Sequence, residues 1–595
     1  MPLDTSPDAA HLPDGLMAAL ADHEAGRIAE AEAAYRAILA ADPMQGQALY
    51  LYGMLALQGG RLAEATSLLS RAAQARPDHA ETRFALGNAL WQQRDKPGAI
   101  AAWQQALERD GTLLGAVLNL AKARADSGDY GATVALCHEA TRIAPFDASA
   151  HAALGAALLG GSQPEAAVRA ADTALDLAPD LAEAHFLRGT ALKQLGKLAE
   201  AAAALGRAAA LAPRHAQALL NLGNAELALG NPTAAEQHCR AALAADPRLA
   251  EAHASLGCLL TNTGRLPEAM AACREALALK PDFAEAHWNL GIAQLLGGDL
   301  PAGFAEYEWR KRHPAHAQEF RRLPQPEWQG EPLEDRTLLV LAEQGLGDAV
   351  MFARFLALLA ARGARVVLAC DKRLLPLLAA APGVARAVPR DRPLPECDLW
   401  VDQMSLPHRL GTTLASIPAA EGYLRPDPAR VAAWEARLPK RRAGARRIGL
   451  AWAGNPLHSN DANRSCPAAE LRALTGMAGD DFVSLQVGPA AAEARSIGVA
   501  DHSAGLTDFA ETAALLAGLD VVVTVDTSVA HVAGALGRPV WLMLPQAPDW
   551  RWLLGRGDSP WYASARLFRQ PAPGDWAAVV AAIATALATE PSALY

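Results

Sequence analysis

A period of 34 residues runs through the first half of the chain. Small residues at fixed positions let paired helices approach closely, and a proline ends the second helix before the next pair begins. The repeated prolines are Pro43, Pro77, Pro145, Pro179, Pro213, Pro247 and Pro281, and Gly111 replaces proline in the remaining repeat. The repeated glycines are Gly53, Gly87, Gly155, Gly189, Gly223, Gly257 and Gly291, and Ala121 replaces glycine in the remaining repeat. The repeated alanines are Ala31, Ala65, Ala99, Ala167, Ala201, Ala235 and Ala269, and Thr133 replaces alanine in the remaining repeat. This pattern predicts an α-solenoid with eight repeats over residues 12–283 and a degenerate ninth over 284–309.

The repeats resemble the tetratricopeptide repeat in length and in small-residue pattern. The resemblance implies a superhelix whose concave face holds an extended peptide or another protein. Asn119, Asn221 and Asn289 share one repeat position, which the resemblance places on that face. An asparagine there can bond a bound peptide's backbone through both its donor and its acceptor. Ordinary polar surface explains these residues equally well, because five other repeats carry Leu, Ala or Ser at this position.

The composition excludes a disordered chain and disfavours nucleic acid as a partner. Hydrophobic residues make up 51% of the chain and aromatic residues only 5%, and this Ala- and Leu-rich balance favours helices. The formal net charge is −10, whereas a nucleic-acid-binding protein needs a basic face. The seven cysteines include no C-x-x-C pair, and the sequence contains neither a secretory signal nor a membrane-spanning run. We therefore expect a cytoplasmic protein with no membrane span.

The pattern changes character after Arg310. Residues 313–335 contain four prolines and predict a linker or a packed crossover. Short apolar runs then alternate with helical stretches, which predicts parallel βαβ units; the strand candidates are residues 337–342, 364–369, 448–453, 482–486, 521–525 and 540–544. We expect a repeat array over residues 12–312 and then two Rossmann-like lobes, 336–445 and 446–595, facing a cleft.

Ligands of open α/β sheets bind beyond the carboxyl ends of the strands. After the first predicted strand, Gly345 and Gly347 allow close backbone approach, and Asp348 enters at a helix start, where capping alone also explains it. After the first strand of the second lobe, Asn455 opens a polar loop that ends in Arg464. Such a loop can clamp a phosphate through its arginine, or it can be a solvated loop.

The strand 521–525 runs directly into a helix start that carries polar side chains. These side chains are Asp526, Thr527, Ser528 and His531. Exposed backbone N–H groups, two hydroxyls and a helix dipole together form an anion site. Helix capping uses the same geometry, so it does not exclude phosphate binding.

Together these segments resemble the ADP-heptose:lipopolysaccharide heptosyltransferases, which are inverting glycosyltransferases of the two-lobed GT-B fold. The resemblance covers about residues 337–570 and rests on L-G-D at 346–348 and D-T-S-V-A-H at 526–531. It implies that Asp348 is the catalytic base and that Arg464 replaces a phosphate-binding lysine of the family. The other residues expected to bind the donor are Asp526, Thr527, Ser528, His531, Gly345, Gly347 and Asn455.

The whole chain is more similar to bacterial repeat–glycosyltransferase fusions, because lipopolysaccharide enzymes lack the repeat array. The resemblance implies that the repeats recruit a protein acceptor, and one such group modifies flagellin with pseudaminic acid, a nonulosonic sugar. We therefore expect transfer of a sugar from a nucleotide sugar to a Ser or Thr hydroxyl of a protein. GT-B enzymes work without a metal, and the chain contains no D-x-D motif, so no metal or other cofactor is expected.

Two alternatives remain open from the sequence. The chain can be a binding scaffold whose transferase domain is inactive, or a transferase that acts on a glycan or lipid while its repeats only locate it. Asp348, Arg464 and the 526–531 motif occur together, which argues against an inactive domain. The sequence does not name the sugar, the nucleotide, the acceptor or the oligomeric state.

Overall fold

A computed structural model describes residues 14–315, 320, 323–418, 422–458 and 460–589. The N-terminal segment 1–13, on which the expectation of no secretory signal rests, lies outside the described residues, as do the predicted ends of the chain's domains at 12 and 595. The chain divides into two compact units, residues 1–247 and residues 248–595.

Helical hairpins make up the described part of the first unit. The hairpins are α1 (Asp14–Glu24) with α2 (Ile28–Ala41), α3 (Gly46–Gln58) with α4 (Leu62–Ala75), α5 (Ala80–Gln92) with α6 (Lys96–Arg109), α7 (Leu114–Asp126) with α8 (Tyr130–Ile143), α9 (Ala148–Gly160) with α10 (Pro164–Leu177), α11 (Ala182–Gln194) with α12 (Leu198–Leu211), and α13 (Ala216–Ala228) with α14 (Pro232–Ala245). The predicted α-solenoid is therefore confirmed.

The repeated small residues and prolines act as the sequence predicts. A Cβ added to Gly53 would lie 2.7 Å from Cγ of Leu69 on the partner helix, so the glycine permits close packing within the hairpin. Pro43 follows α2 by two residues, and Asp42 before it is already extended, because a residue before proline disfavours helical geometry. Each hairpin thus ends at a position that the sequence marks.

Two further hairpins open the second unit. They are α15 (Ala250–Asn262) with α16 (Leu266–Leu279) and α17 (Ala284–Leu296) with α18 (Leu300–Tyr307), and a short 3₁₀ helix, Glu308–Arg312, continues α18. The last hairpin is the degenerate ninth repeat, since its second helix has only eight residues. The compact unit that holds both sheets begins at Arg248 and includes the last two repeats. The expected end of the repeat array at residue 312 stays a prediction.

The first lobe contains a four-stranded parallel sheet with the order β3-β2-β1-β4. Its strands are β1 (Thr337–Leu341), β2 (Arg365–Cys370), β3 (Val384–Pro389) and β4 (Leu399–Asp402); its helices are α19 (Leu346–Phe352), α20 (Leu356–Ala361), α21 (Leu375–Leu378), α22 (Leu406–Arg409) and α23 (Pro428–Arg437). The described part of segment 313–335 packs on this sheet: Trp328 is fully buried, and its backbone N–H donates to the carbonyl of Trp400, 2.7 Å away.

The second lobe contains a five-stranded parallel sheet with the order β6-β5-β7-β8-β9. Its strands are β5 (Arg447–Ala451), β6 (Asp481–Ser484), β7 (Val521–Val525), β8 (Val540–Leu544) and β9 (Ala565–Arg569); its helices are α24 (Asp461–Arg464), α25 (Arg472–Thr475), α26 (Phe509–Ala517), α27 (Ser528–Ala535) and α28 (Trp576–Thr589). Shorter 3₁₀ helices in the two lobes span Ala353–Phe355, Gln403–Ser405, Leu414–Ser416, Ala468–Leu471, Pro489–Ile497, Ser503–Gly505 and Trp550–Trp552. The predicted α/β fold with two parallel sheets is confirmed.

Buried charges join the last repeat to the first lobe. Arg310, with no exposed surface, donates to Glu308 at 2.7 Å, to Glu343 at 2.9 Å and to the Ser405 hydroxyl at 2.8 Å. Lys311 lies 3.0 Å from a carboxylate oxygen of Asp402. Each charge is expensive to bury alone, so these groups stabilise the unit only as a paired set.

The pKa values of the two glutamates reflect this pairing. Burial opposes ionisation of Glu308, but Arg310 and Lys311 outweigh it and hold the pKa of Glu308 at about 2. Burial raises the pKa of Glu343 to about 7, because Arg310 offsets only part of the desolvation and Asp402 adds repulsion. Glu343 therefore depends on Arg310 to stay ionised.

We predict that Arg310→Ala destabilises the second unit by about 3–5 kcal/mol, because it leaves buried carboxylates without their cation. Urea unfolding followed by tryptophan fluorescence would measure this, since 11 of the 13 tryptophans lie within residues 248–595. Arg373→Ala is the matched control in the same lobe. The Arg373 side chain, which pairs with Asp371, is 53% exposed, so its loss should lower the free energy of unfolding by less than about 1 kcal/mol. Equal effects of the two variants would contradict a structural role for the buried cluster.

Candidate functional site

The first turn of α19, which follows β1 after a short loop, presents Asp348 at the carboxyl end of the first sheet. One carboxylate oxygen of Asp348 accepts a hydrogen bond from the backbone N–H of Gly345 at 3.0 Å, so the residue caps its own helix. The side chain retains 14% exposure. Capping and access to a ligand therefore coexist at this position.

The other carboxylate oxygen of Asp348 pairs with Arg551, which comes from the second lobe. The guanidinium of Arg551 also donates to Asp549 at 2.7 Å and lies over the Trp550 ring, 4.3 Å from its centroid. Its side chain is only 9% exposed. A nearly buried cation thus bridges a carboxylate of each lobe.

Helix α27 begins directly after β7, as the sequence predicts. Thr527 precedes the helix in an extended conformation, and its side chain makes no capping hydrogen bond to the first turn. Its hydroxyl lies 3.3 Å from that of Thr524. Thr527 and Ser528 are partly exposed, whereas Asp526 is nearly buried. The first-turn N–H groups are therefore suited to binding an anion.

His531 lies in the first turns of α27 and contacts both lobes. Its Nδ1 is 3.0 Å from the Tyr562 hydroxyl, and its ring stacks on Trp552 with centroids 5.5 Å apart. A Cβ added to Gly347 would lie 2.5 Å from Cδ2 of His531, so only glycine fits where α19 meets α27. Nε2 of His531 lies 3.8 Å from a carboxylate oxygen of Asp526.

Arg464 ends the short helix α24 in the loop after β5. Its Nε is 3.4 Å from a carboxylate oxygen of Asp461, and its side chain is 18% exposed. A Cβ on Gly454 would lie 2.7 Å from Nη2 of Arg464, so this glycine leaves room for the arginine. Ser459 of the same loop lies outside the described residues.

Asn455 opens that loop on the surface. Its side chain is exposed, and its amide oxygen accepts from the backbone N–H of Leu457 at 3.1 Å. Among the contacts of the described residues, none joins Asn455 to the other predicted donor residues. Its place in the donor site stays a prediction.

Burial and the nearby arginines set the protonation of the site. Burial holds the pKa of His531 well below its usual value, and Arg551, Arg354 and Arg464 lower it further, so the imidazole is neutral at pH 7. Burial likewise raises the pKa of Asp348, and Arg551 opposes this shift. A neutral imidazole can donate from one nitrogen while the other accepts.

Asp526 carries a further pKa shift. Burial and the nearby carboxylate of Asp549 raise its pKa to about 6, against the pull of Arg551 and Arg464. Both arginines therefore act on Asp526 as well as on His531. Asp348, Arg551, His531, Asp526 and Arg464 thus form one electrostatic cluster built from both lobes.

The three asparagines of the repeats contact neighbouring repeats. In the first unit, the Asn119 amide donates to Asn88 at 2.8 Å, and Asn221 donates to Thr190 at 3.1 Å. In the second unit, the Asn289 amide donates to the carbonyl of Ala254 at 3.2 Å. Asn221 and Asn289 are nearly buried. These contacts give the asparagines a role between repeats, and acceptor binding by them stays a prediction.

Sequence reasoning missed several residues of the site, namely Arg551, Asp549, Trp552 and Tyr562. All four follow β8, the strand beside β7, so applying the strand-end rule to one more strand would have found the first three. Trp552 is 1% exposed, so it is a core residue that also packs against the ring of His531.

Within the described ranges, no group of three or more His, Cys, Asp and Glu side chains is arranged to hold a metal ion. The same part of the chain contains no helix whose length and apolarity would allow it to cross a bilayer.

Comparison with known families agrees with this architecture. The chain carries tetratricopeptide repeats, matched at residues 16–80, 84–148, 152–210, 187–250 and 259–298. It also carries a glycosyltransferase family 9 (heptosyltransferase) domain, matched at residues 467–542. That match contains Asp526, Thr527, Ser528 and His531, whereas Asp348 and Arg464 precede it. The chain is thus a fusion of repeats and a family 9 domain.

Individual proteins similar to the chain match only part of it. Protein FlbA of Caulobacter vibrioides (strain ATCC 19089 / CIP 103742 / CB 15) is 32% identical over 294 residues, 44% of this chain and 48% of FlbA, so the chain spans about half the length of this curated relative. Among solved structures, the APC/C hetero-tetramer Cut9-Hcn1 matches with 18% identity and a TM-score of 0.37 over 45% of this chain and 52% of that one. TTC0263, a thermophilic TPR protein in Thermus thermophilus, matches with 25% identity and a TM-score of 0.27 over 30% and 97%.

We predict that Asp526→Asn stabilises the protein at pH 8 by about 1–3 kcal/mol. A carboxyl whose folded pKa lies above its unfolded value loses stability as pH rises through the folded pKa, here about 6. The gain from the variant should therefore shrink as pH falls from 7 to 5. Urea unfolding over this range is the measurement.

Asp501→Asn, an exposed carboxyl of the same lobe whose pKa is already lowered, is the control and should show no trend between pH 5 and 8. A pH-independent effect of Asp526→Asn would contradict a buried, shifted carboxyl.

Proposed function

We propose that this protein is an inverting glycosyltransferase that moves a sugar from a nucleotide-sugar donor to a Ser or Thr hydroxyl of a protein. The observation that carries the proposal is the meeting of the two lobes at one cluster. Asp348 of the first lobe pairs with Arg551 of the second, and Gly347 lies against His531 at the start of α27. A carboxylate base and a phosphate-binding helix start thereby face one site.

In the proposed mechanism, Asp348 takes the proton of the acceptor hydroxyl as its oxygen attacks the anomeric carbon. The bond from that carbon to the donor phosphate breaks on the opposite face, which inverts the configuration. A carboxylate has about four lone-pair sites, so the contacts of Asp348 with Gly345 and Arg551 leave capacity for the proton.

The charge of the leaving phosphate is stabilised by the second lobe. Arg464 supplies a cation, the N-terminus of α27 supplies N–H groups, and neutral His531 supplies a donor from Nε2 while Nδ1 bonds Tyr562. These groups are placed before the donor arrives, so the reaction needs little reorganisation.

The acceptor proposal rests on the repeats and on resemblance. Tetratricopeptide repeats suggest a protein partner, and bacterial repeat–glycosyltransferase fusions suggest flagellin as the first acceptor to test and a nonulosonic sugar as the first donor. A scaffold with an inactive domain is disfavoured by the intact cluster of Asp348, Arg464, Asp526 and His531. We place this activity in the cytoplasm, where the protein would encounter nucleotide sugars of this kind.

We predict that Asp348→Asn and Arg464→Ala impair different steps in the full-length protein, the first sugar transfer and the second donor binding. Asp348→Asn should reduce transfer by roughly 10²–10⁴-fold with donor affinity nearly unchanged, because it removes the proton acceptor while Asp549 still pairs with Arg551. Arg464→Ala should weaken donor binding by about 1.5–3 kcal/mol, the usual cost of a lost charge-assisted hydrogen bond. A panel of nucleotide sugars identifies the donor, and calorimetry and a transfer assay separate the two effects.

Arg472→Ala is the control, because it removes an exposed arginine of the same lobe that contacts only the Ser496 carbonyl among the described hydrogen bonds. Normal turnover by Asp348→Asn would reduce Asp348 to a helix cap. Unchanged donor affinity in Arg464→Ala would remove Arg464 from the phosphate site.

We predict that fragment 248–595 binds and slowly hydrolyses the donor but modifies the protein acceptor poorly, whereas fragment 1–247 binds the acceptor without modifying it. The cut follows the division between the two compact units. A cut after residue 312, where the sequence predicts the end of the repeat array, would separate Arg310 from Glu343. Pull-down of flagellin by fragment 1–247, beside a transfer assay with fragment 248–595, tests the division. Efficient glycosylation by fragment 248–595 alone would favour the glycan or lipid alternative.

A further inference from the structure

The second helix of the last repeat contacts residues on both sides of the Asp348–Arg551 pair. Tyr307 at the end of α18 reaches Gln344 in the loop that leads to Asp348. Phe304, one turn earlier, packs edge-on against Phe352 of the helix that carries Asp348, with centroids 6.3 Å apart. It packs in the same way against Trp550, the neighbour of Arg551, at 5.5 Å. One repeat helix therefore lies behind both members of the pair.

The contact with Gln344 occurs at a strained point of the backbone. Gln344 has a φ of +62°, a left-handed conformation that residues other than glycine rarely adopt. Such strain persists only where the surroundings hold it, and it concentrates at functional sites. The Tyr307 hydroxyl donates to the Gln344 amide oxygen at 2.9 Å. The amide nitrogen of Gln344 is buried and has no hydrogen-bond partner among the described residues, so Tyr307 is the side chain that holds this amide.

The residues packed around Tyr307 hold its hydroxyl in a fixed position relative to Gln344. Tyr307 is 2% exposed, and its ring stacks on Trp288 of α17 with centroids 4.6 Å apart. Trp550 lies beside the ring with centroids 6.3 Å apart, and the Arg310 guanidinium lies over it, 5.3 Å from its centroid. A hydrogen bond in so dry an environment is costly to break, because water does not replace the lost partner.

We propose that Tyr307 is a positioning residue of the catalytic centre, which sets the loop 343–348 and with it the carboxylate of Asp348. The inference rests on the proposed function, in which Asp348 is the base. Phe304 serves the same purpose for the second lobe by fixing Trp550 and the adjacent Arg551. The last repeat is then part of the transferase, and the acceptor-binding array ends before it.

Tyr307→Phe in the full chain tests this assignment, because it removes one oxygen and keeps the packed ring. Hydrogen–deuterium exchange of residues 343–352 should become about tenfold faster without any substrate. Turnover should fall about tenfold while donor affinity stays within about twofold of wild type. Tyr35→Phe is the matched control: Tyr35 is a fully buried tyrosine of the first unit whose hydroxyl contacts His23, and its loss should change neither quantity.

Gln344→Gly provides a second variant that keeps the fold, since glycine adopts the positive φ at no steric cost. It removes the acceptor from the other side of the same contact, so it should reproduce the effects of Tyr307→Phe, and the double variant should be no worse than either single one. Unchanged exchange and unchanged turnover in both variants would overturn the positioning role. Faster exchange in a protein that transfers sugar from no donor would leave the loop contact standing and refute the proposed function.

Discussion

The buried guanidinium of Arg310 joins the two kinds of architecture in the second unit. It satisfies Glu308 on its own helical extension and Glu343 at the end of β1, and none of its surface reaches solvent. Because each of these charges is costly to bury alone, the last repeat and the first sheet stabilise each other through them. Glu343 lies in the loop that leads from β1 to Asp348 in the first turn of α19. The buried ion pair between Arg310 and Glu343 therefore also fixes the start of the loop that leads to the candidate base, Asp348.

The same constraint recurs at the cluster between the lobes. Arg551 lies between Asp348 and Asp549, and Asp526 is only partly compensated, as its raised pKa indicates. A site that keeps carboxylates, arginines and a neutral imidazole out of water is less stable than an apolar core of the same volume. Such a cost is typical of residues retained for chemistry rather than for folding.

Much of the fold follows from the sequence because its signals are redundant. Three registers with one period define the hairpins, and the continuous apolar runs of β7 and β8 give those strands with their observed bounds. The strands β3, β4 and β9 were missed for physical reasons. β3 and β9 carry arginines within their apolar pattern, and β4 has only four residues. Their pairing with neighbours, rather than their own pattern, makes them strands.

The candidate site divides in the same way. Asp348, Asp526 and His531 follow strands whose ends the sequence reveals, so the strand-end rule finds them. Arg551 follows β8, so the rule would place it at the same edge, but not its pairing with Asp348, which lies 203 residues away. Tyr307 lies on a repeat helix, outside the rule, and its partner Gln344 is 37 residues away. Long-range pairing of this kind leaves no local pattern to detect.

The 34-residue period allows the number of repeats to change during evolution. Each hairpin of the first unit packs by the same small-residue rule, so whole repeats can be gained or lost there as interchangeable modules. The hairpin α17–α18 lacks that freedom, because Arg310, Tyr307 and Phe304 each have a specific counterpart in the lobes. Related chains should therefore vary in repeat number toward the N-terminus and keep the last hairpin constant, so that the reach of the array changes while the chemistry does not.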